Sequence, residues 1–539
     1  MKKSTHLLIA TILAGCITSC SSGKRIAQHR IVTNPMNLNY RFQPKDESRR
    51  EAADPVLEYF KGYYYLFASK SGGYWRSEDL AGWEYIPCTT IPTLEDYAPT
   101  ILPIGDTLYF TTSSGKTQIF KNAHPEKDTW EAVDTKLTYR LHDPAFYSDE
   151  DGKVYMYWGC SDKDPIMGVE VDPKDGFRAL GEAKALIAHH GDKYGWEVPG
   201  KNNEEPRQGW NEGPCMLKYE GRYYLQYAAP GTQYRIYGDG IYVGDTPLGP
   251  FEYVEDNPFS FKPGGFIGGA GHGHTFQDKY GNYWHVASMI ISVRHMFERR
   301  LGLFPVAVSS RNGIYAHTVW SDYPFYIPNR KVDFDKTDLS MGWNLLSYRK
   351  PVQASSSLAG YEPGNANDEQ IETWWAAQTG KKGEWLQVDL GTPMLVNSIH
   401  VNFADHHFKV FAPHPPVVYQ FFIEGSADGK KWMNLFDERE NGKDEPHRLF
   451  TLDKPLKVRY LRICNAKEMD GCFSLSGFRV FGKGEGAAPS KVTGFRAIRD
   501  SEDKRMFRFT WDAQKEATGY VLRWGTQKDK LTHAVTVFD

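Results

Sequence analysis

EAADPVLEYFKGYYYLFASKSG, residues 51–72, sets an acidic residue, Asp54, directly before a proline and an aromatic-rich run that breaks at Lys61-Gly62. Runs rich in Tyr, Phe and Val favour strands, and a glycine-centred break between two such runs is typical of a β-hairpin. The same unit recurs along the chain as ILPIGDTLYFTTS (101–113), AFYSDEDGKVYMYWG (145–159), MLKYEGRYYLQYAA (216–229) and TFQDKYGNYWHVAS (275–288).

The spacing of these five units predicts the fold of the first half of the chain. Their turn glycines lie 43 to 69 residues apart, which leaves room for several short strands in each unit. Repetition at such a period is typical of propeller blades, which have four strands each. We therefore predict an all-β protein with a five-bladed β-propeller over residues 35–330.

Polar residues stand at a shared offset before the turn glycines. Asp54 and Tyr97 lie eight residues before theirs, and Asp143, Glu212 and His272 lie nine before theirs. Because the first strand of each blade lines the central channel, we expect these five side chains to converge on one axial pocket. Asp54 alone would be interpreted as a turn residue before proline. Like charges brought together out of water are costly, so the shared offset favours a functional site.

Charge and composition limit the partners of the protein. The formal net charge is −3 and the pI is about 6.6. The chain therefore lacks the basic surface that nucleic acids or anionic membranes require. Its 32 Tyr and 15 Trp suit strands and also suit flat surfaces on which sugar rings stack.

The N-terminus predicts export. Lys2-Lys3 precedes the short apolar run LLIATILAGC, which is too short to span a bilayer. Small residues precede Cys16 and Cys20, and both sites resemble the bacterial lipoprotein signal, in which one cysteine is lipidated. We predict a signal segment over residues 1–20 and a lipid anchor at the bacterial cell surface or the periplasmic face of the outer membrane. Ordinary secretion is the alternative.

The segments ADPVL, YAPTIL, HDPAFYSDEDGKVYMYWG, NEGPCMLKYEGRYYLQYA and GAGHGH, with RSEDLAGW at 76–83, resemble glycoside hydrolase family 43. The resemblance covers roughly residues 35–330 and implies a five-bladed propeller. It implies that Asp54 is the general base, Glu212 the general acid, and Asp143 the carboxylate that orients the acid and raises its pKa. It also implies that His272 contacts an axial calcium ion or water cluster.

Two positions depart from the family pattern. Tyr97 stands where Trp is usual, and His274 stands where Ser is common. We expect both to affect the sugar pocket rather than the chemistry. Arg300 is predicted to contact the sugar, with Arg294 and Arg299 as competing candidates and a blade-stabilising ion pair as the alternative role.

The implied roles agree with the chemistry of an inverting glycosidase. One carboxylic acid protonates the leaving oxygen, and one carboxylate activates water on the opposite face of the sugar. Glu212 must therefore stay protonated near neutral pH, and the nearby charge of Asp143 would favour that state. Asp54 must stay ionised.

After about Val332 the sequence changes character. PVQASSSLAGYEPGNANDEQIETWWAAQTGKKGEWLQVDLG, VNSIHVNF and SGFRVFG resemble the discoidin, or factor 5/8 type C, jelly-roll module. The resemblance covers residues 345–482 and implies a carbohydrate-binding β-sandwich of family 32. It implies a structural calcium at Asp368 and Thr373, although Gly477 stands where a glutamate ligand is common.

Several side chains of this module carry their own predictions. The tandem Trp374 and Trp375 are predicted to be core residues. His406, His407 and Phe408 of ADHHFKVF are candidates for a sugar-binding loop. Beyond the module, residues 490–539 resemble the first strands of a fibronectin type III domain, about half of such a sandwich.

Two functions from different classes fit these patterns. The first is an inverting exo-glycosidase of polysaccharide side chains, an α-L-arabinofuranosidase in the first instance. β-Xylose, galactose and galactofuranose are alternatives, because one catalytic set serves several sugars and loops choose between them. The second is a non-catalytic surface glycan-binding lipoprotein, against which the intact Asp54, Asp143 and Glu212 argue. We expect a monomer that needs no cofactor for its chemistry.

Overall fold

The computed structural model describes residues 11–13, 30–45, 47–309, 313–484 and 487–538. Cys16 and Cys20 lie outside these ranges. Strands dominate, and the helical turns are short 3-10 segments at Pro92–Glu95, Pro173–Asp175, Gly195–Glu197 and Pro363–Ala366. No helix in the described ranges is long and apolar enough to span a membrane.

Five antiparallel sheets, blades I to V, follow one another between residues 53 and 316. Blade I contains Ala53–Phe60, Tyr63–Ser69, Gly73–Ser77 and Glu84–Pro87. Blade II contains Tyr97–Ile104, Thr107–Ser113, Phe120–Asn122 and Glu131–Ala132. Blade III contains Ala145–Ser148, Val154–Trp158, Ile166–Asp172, Arg178–Ala179 and Lys184–Ile187.

The last two blades complete the ring. Blade IV contains Cys160–Ser161, Asn211–Tyr219, Arg222–Ala229, Gly238–Gly244, Phe251–Tyr253 and Ser260–Phe261. Blade V contains Gly268–Gln277, Tyr283–Ile290, Arg299–Ser309 and Gly313–Ala316. Blades III and IV therefore carry more than the four strands predicted, and Cys160–Ser161 crosses from the end of blade III to pair with the first long strand of blade IV.

Aromatic side chains fill the space between neighbouring blades. Phe67 of blade I stacks on Tyr74 at 4.3 Å between ring centroids and meets Phe110 of blade II at 5.3 Å. Trp130 closes the same cluster edge-on. Three of these rings lie on strands and Trp130 directly precedes one, so the aromatic-rich runs that predicted strands also supply the interblade core.

The β-sandwich follows the propeller. Its strands are Asn344–Leu345, Val352–Ala354, Trp375–Ala376, Trp385–Phe403, Phe421–Ser426, Met433–Asp437, His447–Asn465 and Ser474–Lys483. Two of them are 19 residues long, and breaks in their register let the hydrogen-bonded sheet bend over into two layers. Trp375, Val388 and Ile399 are among its fully buried core residues. The predicted all-β class, with a five-bladed propeller and a β-sandwich, is confirmed.

Short strands lie outside both large domains. Ile31–Val32 pairs with Phe325–Tyr326 beside the propeller. The C-terminal region forms a hairpin of Arg496–Arg499 with Phe507–Thr510, and Gly519–Trp524 pairs with both His533–Phe538 and Thr11–Leu13. The fibronectin-like character of residues 490–539 stays a prediction.

Candidate active site

One residue at the head of the first strand of each blade has a left-handed backbone conformation. The φ angles are 50° at Asp54, 50° at Ala98, 49° at Asp143, 57° at Gly213 and 44° at His272. Such a conformation costs a non-glycine residue about 1–3 kcal/mol and clusters at functional sites. Its recurrence in all five blades marks one end of the channel as the functional face.

This geometry corrects the register predicted from the turn glycines. Asp54, Asp143 and His272 occupy equivalent positions, as predicted. Tyr97 and Glu212 do not, because each directly precedes the left-handed residue of its blade. The count from the glycine fails because the hairpins differ in length from blade to blade.

Serine hydroxyls link three of the five pairs of neighbouring blades around this face. A serine at or near the end of the second strand of one blade accepts a hydrogen bond from the backbone N–H of the left-handed residue in the following blade. The pairs are Ser69 with Ala98, Ser113 with Asp143, and Ser288 with Asp54, at 2.7, 2.7 and 2.8 Å. These bonds satisfy backbone donors that the strand ladder leaves free, and they close the ring between blades V and I.

His272 stands between two of the carboxylates. Its Nδ1 lies 3.4 Å from Oδ1 of Asp54 and 3.6 Å from Oδ2 of Asp143. Burial lowers the pKa of His272, but Asp54, Asp143 and Glu212 outweigh burial and raise it. The imidazolium is therefore favoured, and it holds the two carboxylates apart without leaving them as bare like charges.

Asp54 is held in its ionised form. Ser69 Oγ donates to its Oδ2 at 2.6 Å, and Arg299 Nη1 donates to its Oδ1 at 3.0 Å. Burial would raise the pKa of Asp54, but Arg299 and His272, with the serine hydroxyls, lower it. Arg299 is itself fixed by Glu51, which accepts from Nη2 at 2.9 Å.

Burial beside Asp143 favours the protonated form of Glu212, although the Tyr237 hydrogen bond and His272 act in the opposite direction. Tyr237 donates from its hydroxyl to Oε1 at 2.6 Å, and the Cys160 thiol donates to Oε2 at 3.3 Å. Burial raises the pKa of Glu212, and the neighbouring Asp143 raises it further, to about 7. Ligand atoms of Asp143, Cys160 and Glu212 lie within 4.8 Å of one another, so Asp143 is close enough to exert this effect.

Tyr97 lies at the rim of the pocket. Its ring meets Phe297 edge-on at 5.6 Å between centroids, and the Lys70 ammonium sits 4.3 Å from its centroid. The ring is half-buried, and the guanidinium of Arg299, which donates to Asp54, lies 6.0 Å from its centroid. This position suits a wall of the sugar pocket.

The predicted sugar contact of Arg300 is wrong. Arg300 is 2% exposed and points into the junction with the β-sandwich, where its Nε donates to His447 Nε2 at 2.9 Å. Neighbouring residues on a strand face opposite sides, so Arg299 reaches Asp54 while Arg300 cannot. Of the competing candidates, Arg299 is therefore the arginine of the pocket.

The metal predictions stay predictions. Among the described residues, neither His272 nor Asp368 belongs to a group of three side-chain ligands near enough to share an ion. Asp368 accepts a hydrogen bond from Thr373 at 2.6 Å, and Gly477 contributes no carboxylate. One carboxylate and one hydroxyl fall short of the about six to eight oxygens that calcium takes.

Sequence reasoning missed several residues of the pocket. Cys160 and Tyr237 hold Glu212, and Ser69 and Ser113 hold Asp54 and Asp143. A signal was present for the serines, because the repeats YYYLFAS, LYFTTS and YWHVAS all end in serine. Tyr237 lies outside the repeat and left no comparable signal.

Comparisons with known proteins agree with this architecture. Residues 48–309 match glycosyl hydrolases family 43, and residues 351–475 match the F5/8 type C domain. The beta-D-galactofuranosidase xynD of Aspergillus niger is 24% identical over 234 residues, which cover 37% of this chain and 62% of that protein. The chain thus spans less than two thirds of that relative.

Two further similarities differ in how much of the chain they cover. Lactadherin of Mus musculus is 31% identical over 96 residues, 16% of this chain and 19% of that protein. A solved structure described as a glycoside hydrolase covers 80% of this chain and 97% of its own, at 20% identity and a TM-score of 0.46.

Proposed function

Because residues 48–309 form a glycosyl hydrolases family 43 domain and residues 351–475 an F5/8 type C domain, we propose that the protein is an inverting exo-glycosidase. It releases α-L-arabinofuranose from the side chains of polysaccharides. The observation that carries this proposal is the opposite surroundings of two buried carboxylates: Arg299 and Ser69 contact Asp54 and favour a lowered pKa, whereas burial beside Asp143 favours a raised pKa of Glu212.

Glu212 is the general acid of this mechanism. Its raised pKa keeps a proton on the carboxyl group near neutral pH, and that proton passes to the leaving oxygen as the glycosidic bond breaks. Tyr237 and Cys160 fix the two oxygens of the group. Asp143 does not touch the sugar bond in this scheme; its charge holds the proton on Glu212.

Asp54 is the general base. As a carboxylate it takes a proton from a water molecule, and that water attacks the anomeric carbon from the face opposite the leaving group. Arg299 and Ser69 hold Asp54 in place and keep it ionised. Because water attacks directly, the product carries the inverted anomeric configuration, and no covalent glycosyl intermediate forms.

The choice of a furanoside is supported by the relative from Aspergillus niger, which is a galactofuranosidase. α-L-Arabinofuranose and β-D-galactofuranose share the configuration of the five-membered ring and differ in the substituent at C4. A pocket for one therefore admits the other if its end wall leaves room. A panel of nitrophenyl glycosides tests the choice of sugar. We expect nitrophenol to be released fastest from the α-L-arabinofuranoside. If a β-xyloside or a β-galactopyranoside were the fastest substrate, the furanoside choice would be contradicted.

β-D-Galactofuranose is the second candidate, and the same panel tests it. The non-catalytic alternative predicts that no glycoside of the panel is cleaved, although polysaccharides still bind. The protonation states around Glu212 and Asp54 favour the enzyme, because a binding protein has no use for a buried carboxylic acid beside an ionised one.

We also propose that the protein is exported and lipid-anchored through Cys16 or Cys20. The support is the apolar segment and the small residues before each cysteine. Serine at both positions should release the protein from the membrane fraction. Unchanged fractionation of the double variant would contradict the anchor.

A further inference from the structure

The link from blade IV to blade V departs from the serine pattern. In three blades the serine lies opposite the residue that directly precedes the left-handed position. The register pairs are Ser69 with Ala53, Ser113 with Tyr97, and Ser288 with Gly271. The equivalent position of blade IV, opposite Glu212, is Ala228. Alanine offers no side-chain oxygen, so the backbone N–H of His272 in blade V needs another acceptor.

Asp239 supplies that acceptor. It lies on the strand Gly238–Gly244 of blade IV, directly opposite Ala228. Its Oδ1 accepts a hydrogen bond from the backbone N–H of His272 at 2.7 Å, and its Oδ2 accepts one from the backbone N–H of Gly273 at 2.9 Å. Hydrogen bonds to a carboxylate are roughly twice as strong as neutral ones. Asp239 therefore holds this backbone more firmly than a serine would.

The acceptors occur where the backbone needs them. A left-handed conformation persists at a non-glycine residue only where the surrounding structure enforces it. Asp54, Ala98 and Asp143 each have a serine acceptor. His272 has Asp239. The fifth left-handed residue is Gly213, which adopts the conformation without strain. These hydrogen bonds therefore keep the four strained residues in place.

The His272 ring has little freedom to move. Its Nδ1 lies 3.4 Å from Asp54 and 3.6 Å from Asp143. The ring also packs on Gly213, where an added Cβ would lie 2.6 Å from the imidazole Cγ. A shift of the His272 backbone would break these contacts and leave the two carboxylates facing each other as bare like charges.

A buried row of side chains contacts Asp239 from behind. His285 Nε2 lies 3.0 Å from Asp239 Oδ2. His285 Nδ1 lies 2.9 Å from Thr275 Oγ1, which donates to Gln226 Oε1 at 3.1 Å. All four residues are at most 4% exposed. The carboxylate is therefore contacted on both sides, by the backbone of His272 in front and by His285 behind.

We propose that Asp239 is a positioning residue of the hydrolysis, which locks the backbone of His272 so that its imidazole stands between Asp54 and Asp143. The inference rests on the proposed glycosidase function and adds to it a determinant of rate behind the carboxylates. Asp239 is 1% exposed, so it acts on the reaction only through His272. A displacement of about 1 Å in an active site costs about 100-fold in rate.

Asp278 separates positioning from simple capping of the backbone. It is 5% exposed and likewise accepts hydrogen bonds from two backbone N–H groups, those of Tyr280 and Asn282, at 2.8 and 2.9 Å. It lies in the hairpin turn of blade V, between Gly268–Gln277 and Tyr283–Ile290. Replacing either aspartate takes a buried carboxylate away from two backbone donors. Of the two, Asp239 alone holds a residue that contacts the catalytic carboxylates.

The test measures kcat, KM and Tm of Asp239→Asn and Asp278→Asn with 4-nitrophenyl α-L-arabinofuranoside. Asparagine keeps the shape of the side chain but accepts with one oxygen only. We expect both variants to lower Tm, because each leaves a backbone N–H without its acceptor. Asp239→Asn alone should lower kcat, by about 100-fold with KM unchanged. An unchanged kcat in Asp239→Asn, or an equal fall in Asp278→Asn, would overturn the proposal.

His285→Gln takes over the kinetic test if Asp239→Asn does not fold. This variant keeps the Asp239 carboxylate and loosens it from behind. We expect kcat to fall about tenfold with KM unchanged. A wild-type kcat in His285→Gln would then overturn the positioning role.

The amide resonance of His272 gives a readout that needs no substrate. In protein labelled with isotopic histidine, the resonance that His272→Gln removes belongs to His272. The hydrogen bond to a carboxylate shifts this amide proton downfield, so Asp239→Asn should move it upfield and Asp278→Asn should leave it unchanged. A resonance that stays in place in Asp239→Asn would overturn the proposal. If the wild type cleaves no glycoside, the proposed function fails, and this resonance still tests the role of Asp239.

Discussion

The catalytic face and the junction between propeller and β-sandwich lie side by side and are built in opposite ways. At the catalytic face every blade contributes the same element, a left-handed residue at the head of its first strand, and three blades add a serine. At the junction each contact is made once. Arg50 pairs with Asp405, Arg300 with His447, and Arg479 of the β-sandwich with the backbone oxygen of Asp322.

This difference shows how repetition produces a reactive centre. A repeated backbone geometry brings the heads of five strands to one place, and the chemistry follows from the side chains that stand at or directly before these positions. The junction has no repeat, so each of its contacts depends on a particular pair of residues. We therefore expect substitutions at the catalytic face to change rates and pH profiles, and substitutions at the junction to change stability.

The largest effect is expected at Asp54. Asp54→Ala removes the base, so kcat should fall about 10³-fold on nitrophenyl glycosides and natural linkages alike. Added azide should restore part of the rate by attacking in place of activated water. The product would be a glycosyl azide of inverted configuration.

A matched control for Asp54→Ala is Asp151→Ala. Asp151 is a half-exposed acid in the hairpin turn of blade III, paired only loosely with Lys153 at 3.5 Å. Steady-state rates of Asp151→Ala should equal those of the wild type. An Asp54→Ala enzyme with wild-type kcat would place the base elsewhere.

Arg299 and Arg300 are neighbours on one strand but belong to different regions: Arg299 contacts Asp54 at the catalytic face, and Arg300 contacts His447 at the junction. Arg299→Met removes one of the two cations beside Asp54 and leaves only His272, so the pKa of Asp54 rises and the acidic limb of the pH–rate profile moves to higher pH. We expect kcat to fall about 100-fold at the acidic end of the profile.

Arg300→Met, its neighbour, should keep the pH profile. It leaves His447 Nε2 and two backbone oxygens without their donor. The free energy of unfolding should fall by about 1–3 kcal/mol, measured by urea denaturation. A shifted pH profile in Arg300→Met and an unshifted one in Arg299→Met would reverse the assignment.

The smallest effect is expected at Asp143. Asp143→Asn removes the negative charge that raises the pKa of Glu212, so Glu212 loses its proton at lower pH. The alkaline limb of the wild-type profile should lie near pH 7, because activity falls as the pH rises through the pKa of the acid. In Asp143→Asn that limb should move about one unit towards acid. If the alkaline limb of Asp143→Asn stayed at the wild-type pH, burial alone would set the pKa of Glu212.

The two regions also differ in how far the sequence predicts them. The propeller and its three acidic residues could be inferred because hairpin units repeat and because Asp-Pro and Glu-Gly-Pro segments stand at their heads. Counting back from the turn glycines misplaces Tyr97 and Glu212 by one residue, because the hairpins differ in length and in where the glycine stands, whereas blades I, II and IV share the same break in register. The Pro that follows Asp54, Ala98, Asp143 and Gly213 would have given the right register.

The junction was beyond sequence reasoning. The sequence predicts a sugar contact for Arg300 and a core position for Trp374, whereas both side chains contact the other domain. Repeats and periodicity do not predict which charged side chains pair when they lie far apart in the sequence. Arg50 and Asp444, for example, form a hydrogen bond across a separation of 394 residues. Such contacts are decided by docking of the two domains, which a single sequence does not encode in its local pattern.

The central claim is that Glu212 is the acid and Asp54 the base, and leaving-group dependence tests it most directly. Good leaving groups need little protonation, so Glu212→Ala should retain far more of its activity on a 2,4-dinitrophenyl glycoside than on the natural linkage, whereas Asp54→Ala loses both alike. The measurement is kcat/KM of each variant on both substrates, relative to the wild type. Equal loss on both substrates in Glu212→Ala, with retention of the activated substrate in Asp54→Ala, would contradict the account by exchanging the two roles.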